Sequence, residues 1–140
     1  MLDTDHVVIL QTAATGEFSR LVDRMSQYPA ADFWVSIVGF HEQVLGWNAY
    51  ISRAKDMTSV VRGYRRFHDL LEYFRDAQVL PFDAAAGQQY EALRAARVRV
   101  PTMDLRIAAI ALSRDLTVLT RNLIDFERIP GLRVEDWTIP

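Results

Sequence analysis

The sequence contains no cysteine. This absence excludes disulfide bonds, thiolate zinc sites and cysteine nucleophiles, and it makes a reducing cytoplasm the expected compartment. No apolar run approaches the roughly eighteen residues that a membrane helix needs, so no membrane association is expected. The N-terminus carries acidic residues where a signal peptide would carry Lys or Arg. These features together predict a soluble cytoplasmic protein.

Several common catalytic motifs are also missing. The chain has no glycine-rich phosphate loop of either standard form. Ser36 does not stand in the Gly-x-Ser-x-Gly elbow of a serine hydrolase. The three histidines, His6, His41 and His68, lack the spacing of metal ligands. The candidate chemistry therefore has to come from the acidic residues.

The chain also lacks a strong net charge, which is -2 at neutral pH. This value argues against a protein that binds nucleic acid through charge alone. It leaves open an enzyme that meets nucleic acid through a local basic rim and bound metal ions. Two arginine clusters, at 62–66 and 94–99, are either solvated helix faces or such a rim.

The hydrophobic pattern predicts an α/β fold. Half of the 140 residues are hydrophobic, which is enough for one core and predicts a single domain over residues 1–140. Strands are predicted at 2–5, 32–37, 79–82, 116–120 and 133–134. Helices are predicted at 6–12, from 17 until Tyr28-Pro29, and at 38–52, 57–74, 84–97 and 102–112. The alternation predicts a parallel sheet of about four to five strands with helices on both faces.

Four regions place acidic or amide side chains at one predicted edge of this sheet. Asp3 ends the first strand, and Glu42 follows nine residues with almost no polarity. Asp104 lies in the first turn of a helix that is apolar nearly all round. Asn122 and Asp125 follow the strand at 116–120. Open α/β sheets bind their ligands at the carboxyl ends of the strands.

Each of these residues also has an ordinary structural interpretation. Asp5 precedes a helical run and could be its N-cap. Glu42 could lie on a solvated helix face. Asp104 could simply be favoured by the helix dipole. Asn122 and Asp125 are common loop residues.

Several carboxylates cannot gather in one cleft without a counter-charge. Hard divalent cations such as Mg²⁺ and Mn²⁺ prefer oxygen ligands and retain open water sites. Such a centre activates water and stabilises the transition state of phosphodiester hydrolysis. A cluster of these acids therefore indicates metal-dependent phosphoryl hydrolysis.

Four motifs in order resemble those of the PIN-domain ribonucleases, and more narrowly the VapC-type toxins of toxin–antitoxin pairs. The opening Leu2-Asp3-Thr4-Asp5 is similar to the family's usual Asp-Thr-Asn start. Ser36, Glu42 and Gly46 match the second motif. The third is similar to residues 104–109, and the fourth to Val118-Leu119-Thr120-Arg121-Asn122 with Asp125-Phe126. The tail 129–132 is also typical, so the resemblance runs along the whole chain.

The resemblance implies that Asp3, Glu42 and Asp104 hold Mg²⁺ or Mn²⁺ and carry the catalysis. The fourth position is either Asn122 or Asp125. Further motif residues are expected to support the site: Asp5, Ser36, Thr120 and Arg121. Asp5 departs from the usual Asn and would add negative charge near the metal, and His41 stands where a small residue often precedes the glutamate.

The resemblance also implies a substrate and partners. The substrate would be RNA, cut by metal-activated water to leave a 5′-phosphate and a 3′-hydroxyl. Such proteins usually form homodimers and are blocked by a cognate antitoxin whose C-terminal segment covers the cleft. Two alternatives are a PIN-fold binding module that has lost its metal site and a different α/β phosphatase or nuclease. The three acidic motif residues speak against the binding module.

Overall fold

The computed structural model describes residues 1–13 and 16–140, and helices make up most of them. The α-helices there are α1 Thr4–Thr12, α2 Gly16–Met25, α3 Ile37–Ser52, α4 Met57–Asp76, α5 Ala84–Ala95, α6 Thr102–Leu112 and α7 Leu123–Phe126. The strands are β1 Val35–Ser36, β2 Val79–Leu80, β3 Thr117–Leu119 and β4 Arg133–Glu135. Within these ranges no helix is both long enough and apolar enough to span a membrane.

The first three residues join two pairs of parallel strands into one layer. Strand β1 pairs with β2, and β3 pairs with β4. Leu2 forms a parallel bridge with Leu119, and on its other side its backbone N–H donates to the carbonyl of Trp34 at 2.7 Å. The order across the layer is therefore β2, β1, the N-terminal segment, β3 and β4. The carboxyl ends of these strands face the same edge.

Helices cover both faces of this layer, and the N-terminal segment shows why. Successive side chains of an extended strand point to opposite faces. Met1 packs into a core with buried residues of α5 and α6, whereas Leu2 packs into a second core with Val7 of α1 and Leu70 of α4. The α/β class, with parallel strands between helical layers, is confirmed.

Two predicted strands are shorter than the sequence pattern indicated. Thr4 and Asp5 belong to α1, because the Asp3 carboxylate caps that helix by accepting a hydrogen bond from the Thr4 N–H at 2.7 Å. The N-cap is thus Asp3 rather than Asp5. The strand predicted at 32–37 is reduced to β1, since a 3₁₀ turn precedes it and Ile37 already begins α3.

The strand predicted at 79–82 ends at Leu80, the helix predicted at 84–97 ends at Ala95, and one short α-helix was missed. Asp83 caps α5 as predicted, accepting a hydrogen bond from the Ala86 N–H at 3.0 Å. The segment 122–126, predicted as a loop, contains the single-turn helix α7. Its last residue, Phe126, is fully buried and anchors this turn in the core.

Close packing between α3 and α4 depends on Gly63. A Cβ atom there would collide with the Ile51 side chain and lie 3.1 Å from the Tyr50 ring. We expect Gly63→Ala to lower the free energy of unfolding by about 1–3 kcal/mol through overpacking, although Ala favours helix by about 1 kcal/mol over Gly. Urea denaturation followed by circular dichroism measures the change.

Gly87 in α5 provides the matched control. A Cβ atom at Gly87 meets no other described atom within 4 Å. Gly87→Ala is therefore expected to raise the free energy of unfolding by about 0.5–1 kcal/mol. If both substitutions stabilise the protein to the same extent, a Cβ atom at residue 63 does not overpack the contact between α3 and α4.

Candidate active site

A cleft of about 380 Å³ lies at the carboxyl edge of the sheet. Its walls are formed by Asp3, Thr4, Asp5, Glu42, Gln43, Asp104 and Asn122. The structure thus brings together five of the residues that the sequence analysis singled out. The other four candidates, Ser36, Thr120, Arg121 and Asp125, lie outside the cleft lining, and each is bonded to a residue that shapes it or belongs to its wall.

Asp3 stands where the N-terminal segment ends and α1 begins, and only 7% of it is exposed. One carboxylate oxygen accepts a hydrogen bond from the Thr4 N–H, and the other accepts one from the Thr120 hydroxyl at 2.8 Å. Thr120 follows β3, so the bond ties two neighbouring strand ends together. Both oxygens are thereby held in fixed positions at the base of the cleft.

Glu42 reaches the cleft because α3 begins directly after β1. Ser36 caps this helix, accepting a hydrogen bond from the Gly39 N–H at 2.9 Å. The Thr4 hydroxyl donates a hydrogen bond to the Glu42 carboxylate. Gly39 permits this close approach of α1 and α3, since a Cβ there would lie 3.2 Å from the Thr4 hydroxyl oxygen. The surface interpretation of Glu42 is therefore wrong.

Asn122 connects the two remaining acids. Its side-chain amide donates to the Asp104 carboxylate and to the Asp125 carboxylate, at 3.1 Å in each case. Asn122 lines the cleft, whereas Asp125 does not. A carboxylate oxygen of Asp125 lies 3.5 Å from a guanidinium nitrogen of Arg128. Asp104, in the first turn of α6, faces the cleft. The N-terminus of α6 therefore faces the cleft and not open solvent.

Asp5 lines the cleft and also connects two parts of the fold through hydrogen bonds. Its carboxylate accepts hydrogen bonds from the His6 ring Nδ1–H and from the Arg121 backbone N–H, each at 2.8 Å. The Arg121 side chain lies 3.2 Å from Glu17 of α2. Asp5 thus joins α1 to the loop after β3.

Crowding raises the pKa of two cleft carboxyls. Burial, followed by the charge of Asp5, raises the pKa of Asp3 to about 7, although the hydrogen bonds from Thr120 and Thr4 oppose the shift. Burial, followed by the charges of Glu42 and Asp125, raises the pKa of Asp104 to about 6. Near neutral pH the Asp3 carboxyl is therefore partly protonated, and a bound cation would displace that proton.

The pKa of Asp5 moves the opposite way. Burial alone would raise it, but the hydrogen bonds from His6 and from the Arg121 N–H outweigh burial and lower the pKa below its usual value. Asp5 therefore keeps its negative charge beside Asp3. It supplies charge to the cleft without needing a metal to compensate it.

The donor set fits a hard divalent cation. All side chains in the cleft wall offer oxygen atoms, and Mg²⁺ and Mn²⁺ prefer carboxylate and carbonyl oxygen. Burial is the largest cause of the raised pKa values of Asp3 and Asp104, and neighbouring carboxylates add to both. Across residues 1–13 and 16–140, as the side chains stand, no three of the acidic or histidine side chains converge closely enough to hold one ion. The fit thus rests on donor chemistry and charge.

Two cleft residues were not assigned by the sequence analysis. Thr4 and Gln43 each follow a predicted acid by one position and share its place in the cleft wall. Adjacent helical residues point in different directions, so sequence spacing did not assign them to the site. Thr4 belongs to the resemblance motif, which was the available signal.

No protein-family model matches the chain. Over 64 residues, however, the chain is 45% identical to the tRNA(fMet)-specific endonuclease VapC of Salmonella typhimurium and 44% identical to that of Shigella flexneri. This stretch covers 43% of the chain and 48% of each relative. The chain thus spans about half the length of the curated relatives it matches.

Solved structures extend the likeness to nearly the whole chain. The VapBC structure from Salmonella typhimurium, bound to DNA, contains a chain 28% identical to this one, with a TM-score of 0.72 over 98% of this chain and 96% of that one. In sequence and in fold the chain therefore resembles the VapC-type PIN-domain proteins. VapBC-1 from nontypeable Haemophilus influenzae shares the fold at 24% identity, with a TM-score of 0.73 over 99% of this chain and 98% of that one.

The comparisons confirm the resemblance drawn from the four motifs. Asp3, Glu42, Asp104 and Asn122, taken from those motifs, all lie on one cleft of the PIN fold. Their roles in chemistry stay predictions, because fold and motif do not by themselves establish a reaction.

Proposed function

We propose that this protein is a metal-dependent endoribonuclease. The observation that carries the proposal is the meeting of Asp3, Glu42 and Asp104 in one cleft of a VapC-type fold. Asp3 caps α1, Glu42 lies in the second turn of α3, and Asp104 lies in the first turn of α6. Oxygen-lined acidic clefts of this kind suit phosphodiester hydrolysis with Mg²⁺ or Mn²⁺.

Asp3, Glu42 and Asp104 would hold the cation, with Asn122 orienting Asp104 through its amide. When bound, the cation would supply Lewis-acid activation of water and charge neutralisation at the phosphate. The Thr4 hydroxyl holds Glu42, and the Thr120 hydroxyl holds Asp3. Asp125 fixes Asn122 from behind. These bonds keep the acidic side chains in place.

In the proposed reaction, an oxygen of water bonds to phosphorus while the bond between phosphorus and the 3′ oxygen breaks. The leaving oxygen takes up a proton and becomes a 3′-hydroxyl, and the phosphate stays on the 5′ side of the next nucleotide. The attacking water gives up a proton to the solvent, because Asp3 and Asp104 would be ionised while they hold the cation.

The proposed substrate is initiator tRNA, because the relatives that share 45% and 44% identity are named tRNA(fMet)-specific endonucleases. The proposed protein partner is a cognate antitoxin, because structural neighbours are VapBC complexes. A homodimer is proposed on the same resemblance.

The test is cleavage of initiator tRNA by the purified protein with 1 to 10 equivalents of Mn²⁺ or Mg²⁺, compared with elongator methionine tRNA. We expect cleavage of the initiator tRNA, with 5′-phosphate and 3′-hydroxyl ends, and its loss when EDTA removes the cation. Absence of cleavage with either metal and with total tRNA would favour the alternative of a non-catalytic binding module.

A further inference from the structure

A second concavity of about 680 Å³ adjoins the catalytic cleft, between α1, α3 and α4. We call it the aromatic groove and define it by Val8, Gln43, Trp47, Tyr50, Leu70 and Tyr73. Gln43 also lines the catalytic cleft, directly after Glu42. The groove therefore begins where the cleft ends, and a ligand lying in the cleft can continue into it.

Gln43 has unused hydrogen-bonding capacity at this junction. Only 8% of it is exposed, and its amide nitrogen has no hydrogen-bond partner in the described part of the chain. A buried amide without partners is unfavourable for folding. An amide both donates and accepts hydrogen bonds, so a ligand with a mixed polar edge would match it.

The remaining walls suit a flat aromatic ligand. Trp47 and Tyr50 are partly exposed, with ring centroids 5.5 Å apart in an edge-to-face arrangement, and Tyr73 adds a third ring. Val8 and Leu70 supply apolar contact. The bases of single-stranded RNA stack on such rings and are read by hydrogen bonds to their edges.

Arg53, Arg66 and Asp69 also line the groove and give it a net positive charge, in contrast to the acidic cleft. Arg66 lies 3.7 Å from Asp69, and Arg53 has no carboxylate within ion-pair distance among residues 1–13 and 16–140. Guanidinium groups pair well with phosphate. Charge complementarity therefore favours an anionic occupant, such as a nucleic acid backbone, over a basic or purely apolar one.

We propose that the aromatic groove binds an unpaired base of the RNA substrate next to the phosphodiester that is cleaved. Gln43 hydrogen-bonds to the base edge, Trp47 stacks on the base, and Arg53 and Arg66 face the adjoining phosphate. This inference rests on the proposed nuclease function and adds to it a determinant of sequence preference. It makes Gln43 a specificity residue rather than a catalytic one.

The test uses the Asp104→Asn protein, which should bind RNA without cutting it. Fluorescein-labelled octamers of A, C and U are titrated by fluorescence anisotropy. On this background Trp47→Leu is expected to weaken binding about tenfold for every octamer, because stacking is tolerant of sequence. Gln43→Met is expected to change the ratio of affinities among the three octamers by about fivefold, because only the edge contact is lost.

Two substitutions outside the groove serve as matched controls. Tyr64→Leu removes an aromatic ring that is 62% exposed on α4, and Gln89→Met removes an exposed amide on α5. Both should leave all three affinities unchanged. Gln43→Met deletes an unsatisfied buried amide, so it should fold at least as stably as its parent. Its result therefore stands even if Trp47→Leu fails to fold.

Failure of this inference is distinguishable from failure of the nuclease proposal. If the unsubstituted chain cleaves RNA and the groove variants bind the octamers like their parent, the groove is not an RNA subsite and the nuclease proposal stands. Groove variants that lose only a protein partner would likewise overturn the inference. If the chain neither cleaves nor binds RNA, both proposals fail.

Discussion

Asp104→Asn is expected to lower the rate of RNA cleavage about a hundredfold or more, since losing a carboxylate ligand removes several kcal/mol of transition-state stabilisation. Asp104 faces the cleft from the first turn of α6, and burial and neighbouring acids raise the pKa of its carboxyl to about 6. Asn keeps an oxygen that accepts the bond from Asn122 but carries no charge. Cation affinity should fall together with activity.

The fold should survive this substitution. The N-cap of α6 is Pro101 and makes no side-chain capping bond, so Asp104 is not needed to start the helix. Cleavage rates at several Mn²⁺ concentrations, with circular dichroism alongside, measure the effect. Asp23→Asn, which changes an exposed acid on α2, is the matched control and should cleave normally. An Asp104→Asn protein with full activity would refute the metal-site assignment.

The second large effect concerns stability and pH. Without a divalent cation, the protein is expected to lose stability as the pH rises from about 4 to about 7. The pKa of the Asp3 carboxyl is raised from 3.8 to about 7 in the fold. Between these values the unfolded chain releases the proton while the folded chain retains it, so rising pH favours unfolding. The loss is complete above pH 7.

Asp3→Asn isolates this contribution, because Asn has no proton to lose. At pH 8 without metal, the variant is expected to be more stable than the parent by up to about 4 kcal/mol, at 1.36 kcal/mol per pKa unit. This corresponds to a melting temperature higher by about 10 °C. At pH 4 the difference should disappear. Melting curves of both proteins between pH 4 and 8 test the prediction.

Asp83→Asn supplies a control of opposite sign. Asp83 is exposed, and its hydrogen bond from the Ala86 N–H lowers the pKa of its carboxyl. Its contribution to stability is therefore present at neutral pH and lost as the pH falls.

Adding Mn²⁺ at pH 8 should raise the melting temperature of the parent and not that of Asp3→Asn. If Asp3→Asn has the same melting temperature as the parent at every pH, the pKa of the Asp3 carboxyl is not raised in the folded protein.

Much of this site could be predicted because its residues follow strand ends. Asp3 directly follows the bridge at Leu2, and Asn122 lies three residues after the end of β3. Parallel strands bring such residues to one edge of the sheet. Asp104 was identified through its position at the start of a buried helix. Glu42 was expected in the site only because of the family resemblance. The polarity pattern of its own segment favoured a solvated helix face.

What the sequence could not provide were contacts between residues that no periodicity relates. The bond from Thr4 to Glu42 depends on Gly39 allowing two helices to approach, which is a matter of tertiary packing. The placement of Asn122 in front of Asp125 depends on α7, a single turn too short for a periodic signal. The early ends of the strands at Asp3 and Ser36 reflect side-chain capping, which overrides local β propensity.

The central position of the N-terminal segment bears on when the cleft can form. Asp3 and its partner Thr120 are 117 positions apart in the chain. During synthesis Leu2 and Asp3 leave the ribosome before β3, so the side of their segment that pairs with β3 stays unpaired until β3 emerges. Contacts this distant in sequence form late and slowly. A growing chain therefore carries its acidic residues separately, and the cleft is assembled only after Thr120 has been synthesised.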